Sequence, residues 1–255
     1  IRDSDNFLTH SFNLKPDTKE WDFLAKQFEE AYAMKDHLTH VSPRVQNRNL
    51  PYTPVAPSDT MQNEPDTDFD LSQNQEWVRR IFAKWKKSGT EEPEIIPLQI
   101  GAETVVCKNR YKYLDRCQND EVCICEMSQA DSAQVEKIIE IAETDPAGWR
   151  KTTLEERHRI MYEAANRLAD MRGDLIGCMC AVTGKTVIEG DVEVSEAVDY
   201  ARFYTTAMKK FAALDDIEIK PKGTILVISP WNFPCAIPVG GIVAGLAGGN
   251  TVILK

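Results

Sequence analysis

The residues whose types and order suggest chemistry are Ile228-Ser229-Pro230-Trp231-Asn232-Phe233-Pro234 and Lys255. They border two aliphatic runs, Gly223-Thr224-Ile225-Leu226-Val227-Ile228 and Thr251-Val252-Ile253-Leu254, which read as strands on either side of a glycine-punctuated apolar helix. A strand that breaks at Ser-Pro and feeds a helix is how an open α/β sheet presents a ligand crevice at its carboxyl edge. At that rim the NH2 of Asn232 can donate to an oxygen that gains negative charge during a reaction. Asn is also a good helix N-cap, so a structural reading has Asn232 capping a helix that begins near Phe233. Lys255 ends the second strand, where its ammonium can bond ribose hydroxyls or serve only as a solvated strand end.

The other chemistry-bearing residues point to packing. Seven cysteines (Cys107, Cys117, Cys123, Cys125, Cys178, Cys180 and Cys235) show no paired C-x-x-C spacing, and no His completes a zinc site, so no metal is expected. The pairs Cys123/Cys125 and Cys178/Cys180 are each one residue apart, which on a strand puts both thiols on one face as small buried hydrophobes. Gly240, Gly241, Gly245, Gly248 and Gly249 do not form G-x-G-x-x-G after a strand.

The 255 residues are 42% hydrophobic and 27% charged, enough for one large or two modest domains. A formal charge of −10 argues against a nucleic-acid partner, whose phosphates need clustered Lys and Arg, and favours small-molecule chemistry. No apolar window is long enough to span a bilayer, and Ile1-Arg2-Asp3-Ser4 has neither a basic leader nor an apolar export core. A cytoplasmic setting is expected.

The elements that must position these residues follow from periodicity. Trp21–Met34 reads as an amphipathic helix with Trp21, Leu24, Ala25, Phe28, Ala31 and Tyr32 on one face. Ser42–Met61, with four prolines, reads as an extended linker or surface arm. A helix over Ser72–Lys87 follows, capped by Asp70 or Ser72, with Trp77, Ile81, Phe82 and Trp85 buried. From Ile95 to Met127 short alternating runs suggest strands of a hairpin or meander. Four helices are expected next: Ser128–Thr144, opening near Asp131-Ser132; Thr153–Arg172, with a Thr153/Glu156 capping box; Asp174–Val182, ending at Gly184; and Gly190–Phe211.

The segment Pro221–Lys255, with Ser-Pro-Trp-Asn-Phe-Pro followed by Gly-Asn-Thr-Val-Ile-Leu-Lys, resembles the first strand, helix and second strand of the cofactor domain of the aldehyde dehydrogenase superfamily. Upstream, Trp149, Glu156-Arg157, Gly184-Lys185 and the run Glu193–Tyr204 stand in that family's order and spacing. The run Glu193–Tyr204 is especially similar to the pyrroline-5-carboxylate dehydrogenase part of bifunctional proline utilization A proteins. Asn63–Phe69 resembles the connector those proteins place between their two enzymes, and Asp5-Asn6-Phe7-Leu8 with Phe12 resembles the end of their flavin-dependent proline dehydrogenase barrel.

The resemblance implies an α/β fold: the N-terminal part of an aldehyde dehydrogenase, with the start of an open parallel Rossmann-like sheet and a β-hairpin or meander arm. Residues 92–255 would be the cofactor-domain portion, and residues 1–91 a helical and extended linker region. It implies NAD or NADP as cofactor, and FAD only if a proline dehydrogenase domain precedes the chain. By resemblance Asn232 is the oxyanion donor, Ile228, Ser229, Pro230 and Trp231 line the cofactor, and Lys255 bonds the adenosine ribose. The resemblance also implies that the glycines from Gly240 to Gly249 serve close helix-to-sheet packing and a turn at 248–250. The implied reaction is oxidation of L-glutamate γ-semialdehyde to L-glutamate in a homo-oligomer joined to a proline dehydrogenase module.

Cys235 matches a bulky hydrophobic position of the family, so packing is its expected role. Val182 stands where many relatives carry Glu before the Gly-Lys pair, and no substrate role is assigned to that loop. In the family the nucleophilic Cys and general-base Glu follow the Lys that ends the second strand. The chain is therefore expected to be a fragment, inactive alone, since two parallel strands and one helix leave apolar faces and edge amides open. The alternative from another class is a non-catalytic binding or assembly module that kept the cofactor-domain scaffold.

Overall fold

The computed structural model describes residues 15–38, 41–86, 92–118, 122–216 and 218–255. The likeness drawn from Asp5–Phe12 lies outside the described residues. Contacts divide the chain into two units, one ending at Val45 and one beginning at Gln46.

In the first unit, helix α1 (Lys19–Ala33) opens at Thr18, whose hydroxyl accepts from Trp21 N at 3.3 Å. The helix falls where the periodicity predicts it, but none of its residues is buried and Phe28 is 71% exposed. Among the described residues of this unit only a 3-10 turn, Lys35–His37, follows the helix.

The second unit begins with an extended segment leading into helix α2 (Ser72–Trp85). Neither Asp70 nor Ser72 caps α2: the N-cap is Leu71, with no side-chain cap bond. The buried Asn74 instead binds the preceding chain, its Nδ2 donating to Asp68 O and Gln46 Oε1 and its Oδ1 accepting from Arg48 N.

The strands of the arm are β1 (Glu94–Ile96), β2 (Leu98–Ile100), β3 (Glu103–Val105), β4 (Arg110–Leu114) and β5 (Cys123–Ser128). β2 and β3 form a hairpin that turns at Gly101, where φ is +59°. β4 pairs antiparallel with β5, and β1 runs parallel on its other side, from Glu94 opposite Cys125 to Ile96 opposite Met127.

Helices α3 (Ser132–Thr144), α4 (Leu154–Asp170), α5 (Arg172–Thr183) and α6 (Val187–Ala212) follow, then strand β6 (Thr224–Val227), helix α7 (Ala236–Ala247) and strand β7 (Thr251–Leu254). The capping boxes at Asp131/Gln134 and Thr153/Glu156 are formed, and Gly184 ends α5 in the left-handed region at φ +72°. α6 begins at Val187 rather than Gly190, because Thr186 and Glu189 make a further capping box.

The core lies where α4, α5, α6 and α7 meet, around Met161, Ala165, Ile176, Val194, Val198 and Val243. Each fully buried Val or Ile there contributes about 1.5–3 kcal/mol. Beside it a buried polar network ties residues 46–67 to α5 and α6. Arg172, 2% exposed, meets Asp191 Oδ1 at 2.8 Å, Ser195 Oγ at 3.0 Å and Glu64 Oε1 at 3.4 Å. Arg202 meets Glu64 Oε2 at 3.1 Å and Tyr52 OH at 3.0 Å, and Thr67 donates to Asp191 through both its amide (2.6 Å) and its hydroxyl (2.5 Å). Among the described residues no helix is long and apolar enough to cross a membrane.

Candidate cofactor crevice

β6 and β7 pair in parallel register from Thr224 opposite Thr251 to Val227 opposite Leu254. Lys255 N then donates to Val227 O at 3.0 Å. Ile228 and Lys255 therefore leave the two strands side by side, and the turn that carries Asn232 starts at the same carboxyl edge. Ile228 is 63% and Trp231 78% exposed; Pro230, Asn232 and Lys255 are also exposed. Ser229 is half-buried, and its Oγ is buried with no hydrogen-bond partner among the described residues.

Asn232 is not a helix cap. α7 begins at Ala236, with Cys235 at its N-cap and no side-chain cap bond. Phe233 precedes Pro234, whose ring disfavours helical backbone at the residue before it, in keeping with a helix start beyond Pro234. The Asn232 amide makes no hydrogen bond among the described residues, which leaves its donors for a ligand.

The N-terminus of α7 is satisfied from another helix. Glu193, 1% exposed on α6, accepts from Cys235 N at 2.7 Å and Ala236 N at 3.0 Å through Oε1. Its Oε2 pairs with Lys185 Nζ at 2.5 Å, and that ammonium lies 4.0 Å from the centroid of the Phe233 ring. Sequence reasoning assigned neither residue a role. The available signal was a carboxylate set among Gly190, Val194, Ala197, Val198 and Ala201 on the buried face of α6.

The far end of α7 is held as firmly. Trp149 Nε1 donates to Leu246 O at 3.1 Å and Arg157 Nη1 to Ala247 O at 3.2 Å. Asn250 Oδ1 accepts from the amides of Lys222 and Gly223 at the foot of β6, and its Nδ2 donates to Gly245 O at 3.0 Å. A Cβ on Gly241 would stand 2.9 Å from a Val227 methyl, and one on Gly245 2.9 Å from a Val252 methyl, so these glycines do let the helix lie close on the sheet. Gly249 turns the chain at φ +80°.

Burial makes three of the cysteines poor nucleophiles. Burial pushes the Cys235 thiol up to about 12, with the adjacent Glu193 carboxylate acting in the same direction. Burial likewise lifts Cys180 to about 11 and raises Cys178. Cys178 and Cys180 lie on helix α5, not a strand, so their spacing turns them to different faces, one half-buried and one buried. Replacing Cys235 with Ala is expected to cost about 1 kcal/mol of stability. The raised folded value means that the unfolded thiol loses its proton first as pH rises past 9, so stability falls between pH 9 and 12. Urea unfolding across that range should show a shallower alkaline loss in Cys235→Ala; an equal slope would contradict the assignment.

The Aldehyde dehydrogenase family model matches residues 107–255. A 1-pyrroline-5-carboxylate dehydrogenase of Geobacillus sp. (strain WCH70) is 33% identical over 204 residues, covering 76% of this chain and 39% of the relative. The crystal structure of a Thermus 1-pyrroline-5-carboxylate dehydrogenase with bound NAD aligns with a TM-score of 0.70 at 28% identity, covering 77% of this chain and 39% of that one. A proline utilization A structure from Bdellovibrio bacteriovorus, inactivated by N-propargylglycine, aligns with a TM-score of 0.71 at 25% identity, over 87% of this chain and 23% of that one. The chain belongs to the aldehyde dehydrogenase family, and its fold is the N-terminal part of the aldehyde dehydrogenase fold. It spans about two fifths of the length of the curated relatives it matches.

Proposed function

We propose that this chain supplies the nicotinamide cofactor crevice of an NAD-dependent enzyme that oxidises L-glutamate γ-semialdehyde to L-glutamate, with NADP the second candidate cofactor. The observation that carries the reading is the bond from Lys255 N to Val227 O, which sets the Asn232 turn and the lysine at one edge of one parallel strand pair. The residues there fit a dinucleotide: exposed Ile228 and Trp231 offer apolar faces, the buried Ser229 hydroxyl lacks a partner among the described residues, and Lys255 offers an ammonium for ribose hydroxyls. The bound cofactor would accept hydride from the substrate carbon.

In this reading Asn232 donates to the oxygen of the aldehyde as a thiolate adds to its carbon, and Ile228–Trp231 keep water from the reacting face. The thiolate and the base that hydrolyses the resulting thioester come from polypeptide outside this chain, in keeping with the buried, protonated state of Cys235. Residues 1–91 form the end of a proline dehydrogenase module and its connector, and residues 92–255 the first portion of the cofactor domain. The similarity to proline utilization A over 87% of the chain supports that division.

The full-length enzyme should be assayed by NADH formation with glutamate semialdehyde and with an aliphatic aldehyde of equal length lacking the carboxylate and amine. The reading predicts a kcat/KM at least about a hundredfold higher for the semialdehyde, because a site built for charged groups loses heavily when they are missing. Equal values for the two aldehydes would remove the substrate assignment while leaving the cofactor crevice in place.

A further inference from the structure

We propose that Lys185 and Glu193 are positioning residues that fix the Asn232 amide where the substrate oxyanion forms, so that their effect on rate passes through Asn232. The inference rests on the reading of Asn232 as the oxyanion donor. A donor accelerates reaction to the extent that it is held in place beforehand, because it then has no reorganisation to make as charge develops. Trp231, Asn232, Phe233 and Pro234 are all exposed, so the surrounding core does not hold this turn.

The grip comes from two side chains, Lys185 in the α5–α6 junction and Glu193 on α6. Lys185 lies over the ring of Phe233, the residue next to Asn232, and Glu193 binds the amides three and four residues beyond Asn232. The Lys185–Glu193 contact at 2.5 Å joins the two grips into one unit. Lys185 is itself fixed between the left-handed Gly184 and the capping box that opens α6 at Thr186.

An ordinary helix cap comes from a short side chain at the N-cap position. Here the N-terminus of α7 is bound by a carboxylate 42 residues upstream that is almost wholly buried. Its counter-ion is stacked on the residue beside the proposed donor. Glu193→Gln keeps an oxygen for the two amides but sets an NH2 against the ammonium, which loosens the Lys185 grip on Phe233. Lys185→Met removes the charge; Lys185→Arg keeps it.

The test is a kinetic cycle in the full-length enzyme, with kcat expressed per titrated active-site thiol so that unfolded protein is not counted. Glu193→Gln and Lys185→Met should each lower kcat by about ten- to a hundredfold, as small misplacements of a reacting group do. KM values should stay within about twofold, since the lost interaction is made only in the transition state. Lys185→Arg should recover most of the rate. In an Asn232→Ala background Glu193→Gln should cost nothing further, since no donor remains to be positioned. The proposal is overturned if Glu193→Gln has full kcat per thiol while Asn232→Ala is impaired, or if the two losses multiply in the double variant. Full kcat in Asn232→Ala alone would instead overturn the donor reading, and this inference with it.

Discussion

Asn232→Ala in the full-length enzyme is expected to lower kcat by at least about a hundredfold with little change in KM for aldehyde or NAD. The size follows from the role proposed for the amide, donation to the oxyanion. A ground-state carbonyl carries a small partial charge, whereas the oxygen formed on thiolate addition carries a full one, so the bond strengthens only as the barrier is crossed. Stability should hardly change, because the side chain is exposed, caps no helix and makes no hydrogen bond among the described residues. Steady-state kinetics beside a urea unfolding curve separate the two: a large kcat loss with an unshifted midpoint is the expected pair. A variant that loses stability but not rate would return Asn232 to a structural role.

Glu64→Gln is expected to destabilise the protein by about 3–5 kcal/mol, the range for removing one partner from a buried ion network. Three guanidiniums, Arg48, Arg172 and Arg202, share two carboxylates, Glu64 and Asp191. Arg172 would keep Asp191, but Arg202 meets only Glu64 within ion-pair distance among the described residues, and would be left as a buried charge held by neutral groups. Exposure separates this from a surface pair such as Lys209 with Asp59, whose carboxylate is 77% exposed and is screened by solvent, so that its loss should barely shift stability. Urea midpoints of Glu64→Gln and Asp59→Ala give the comparison directly. Equal shifts would mean that the network does not anchor residues 46–67.

The sequence made the cofactor end of the fold legible because its signals are local. Two aliphatic tetrapeptides, Thr224–Val227 and Thr251–Leu254, bracket a helix whose glycines face them, and the paired strands carry both site segments to one edge. The capping box at Thr153 and the helix opening near Asp131 are legible for the same reason, while the box that Asp131 makes with Gln134 emerges only in the structure. The Thr186/Glu189 box has the same spacing, and the start of α6 lies three residues earlier than its apolar pattern suggests because the box precedes the first buried position.

Long-range interactions were not legible. Glu193 meets amides 42 residues away, and Glu64 meets arginines 108 and 138 residues away; no window of periodicity contains such pairs. The true start of α7 was hidden by the N-cap preference of Asn, although the Phe233-Pro234 pair carried the opposite signal. The stripe on α1 is legible as the apolar face of a helix, yet periodicity says which face is apolar and not how far it is buried: none of the helix residues is.

The claim on which the functional reading depends is that one dinucleotide lies across the carboxyl ends of β6 and β7. A crystal structure of the full-length enzyme with NAD bound tests it most directly. The account predicts the nicotinamide against Ile228–Trp231 with the Asn232 amide beside it, and an adenosine ribose hydroxyl within about 3 Å of Lys255 Nζ. A dinucleotide seated elsewhere, with Asn232 and Lys255 both facing bulk solvent, would contradict it.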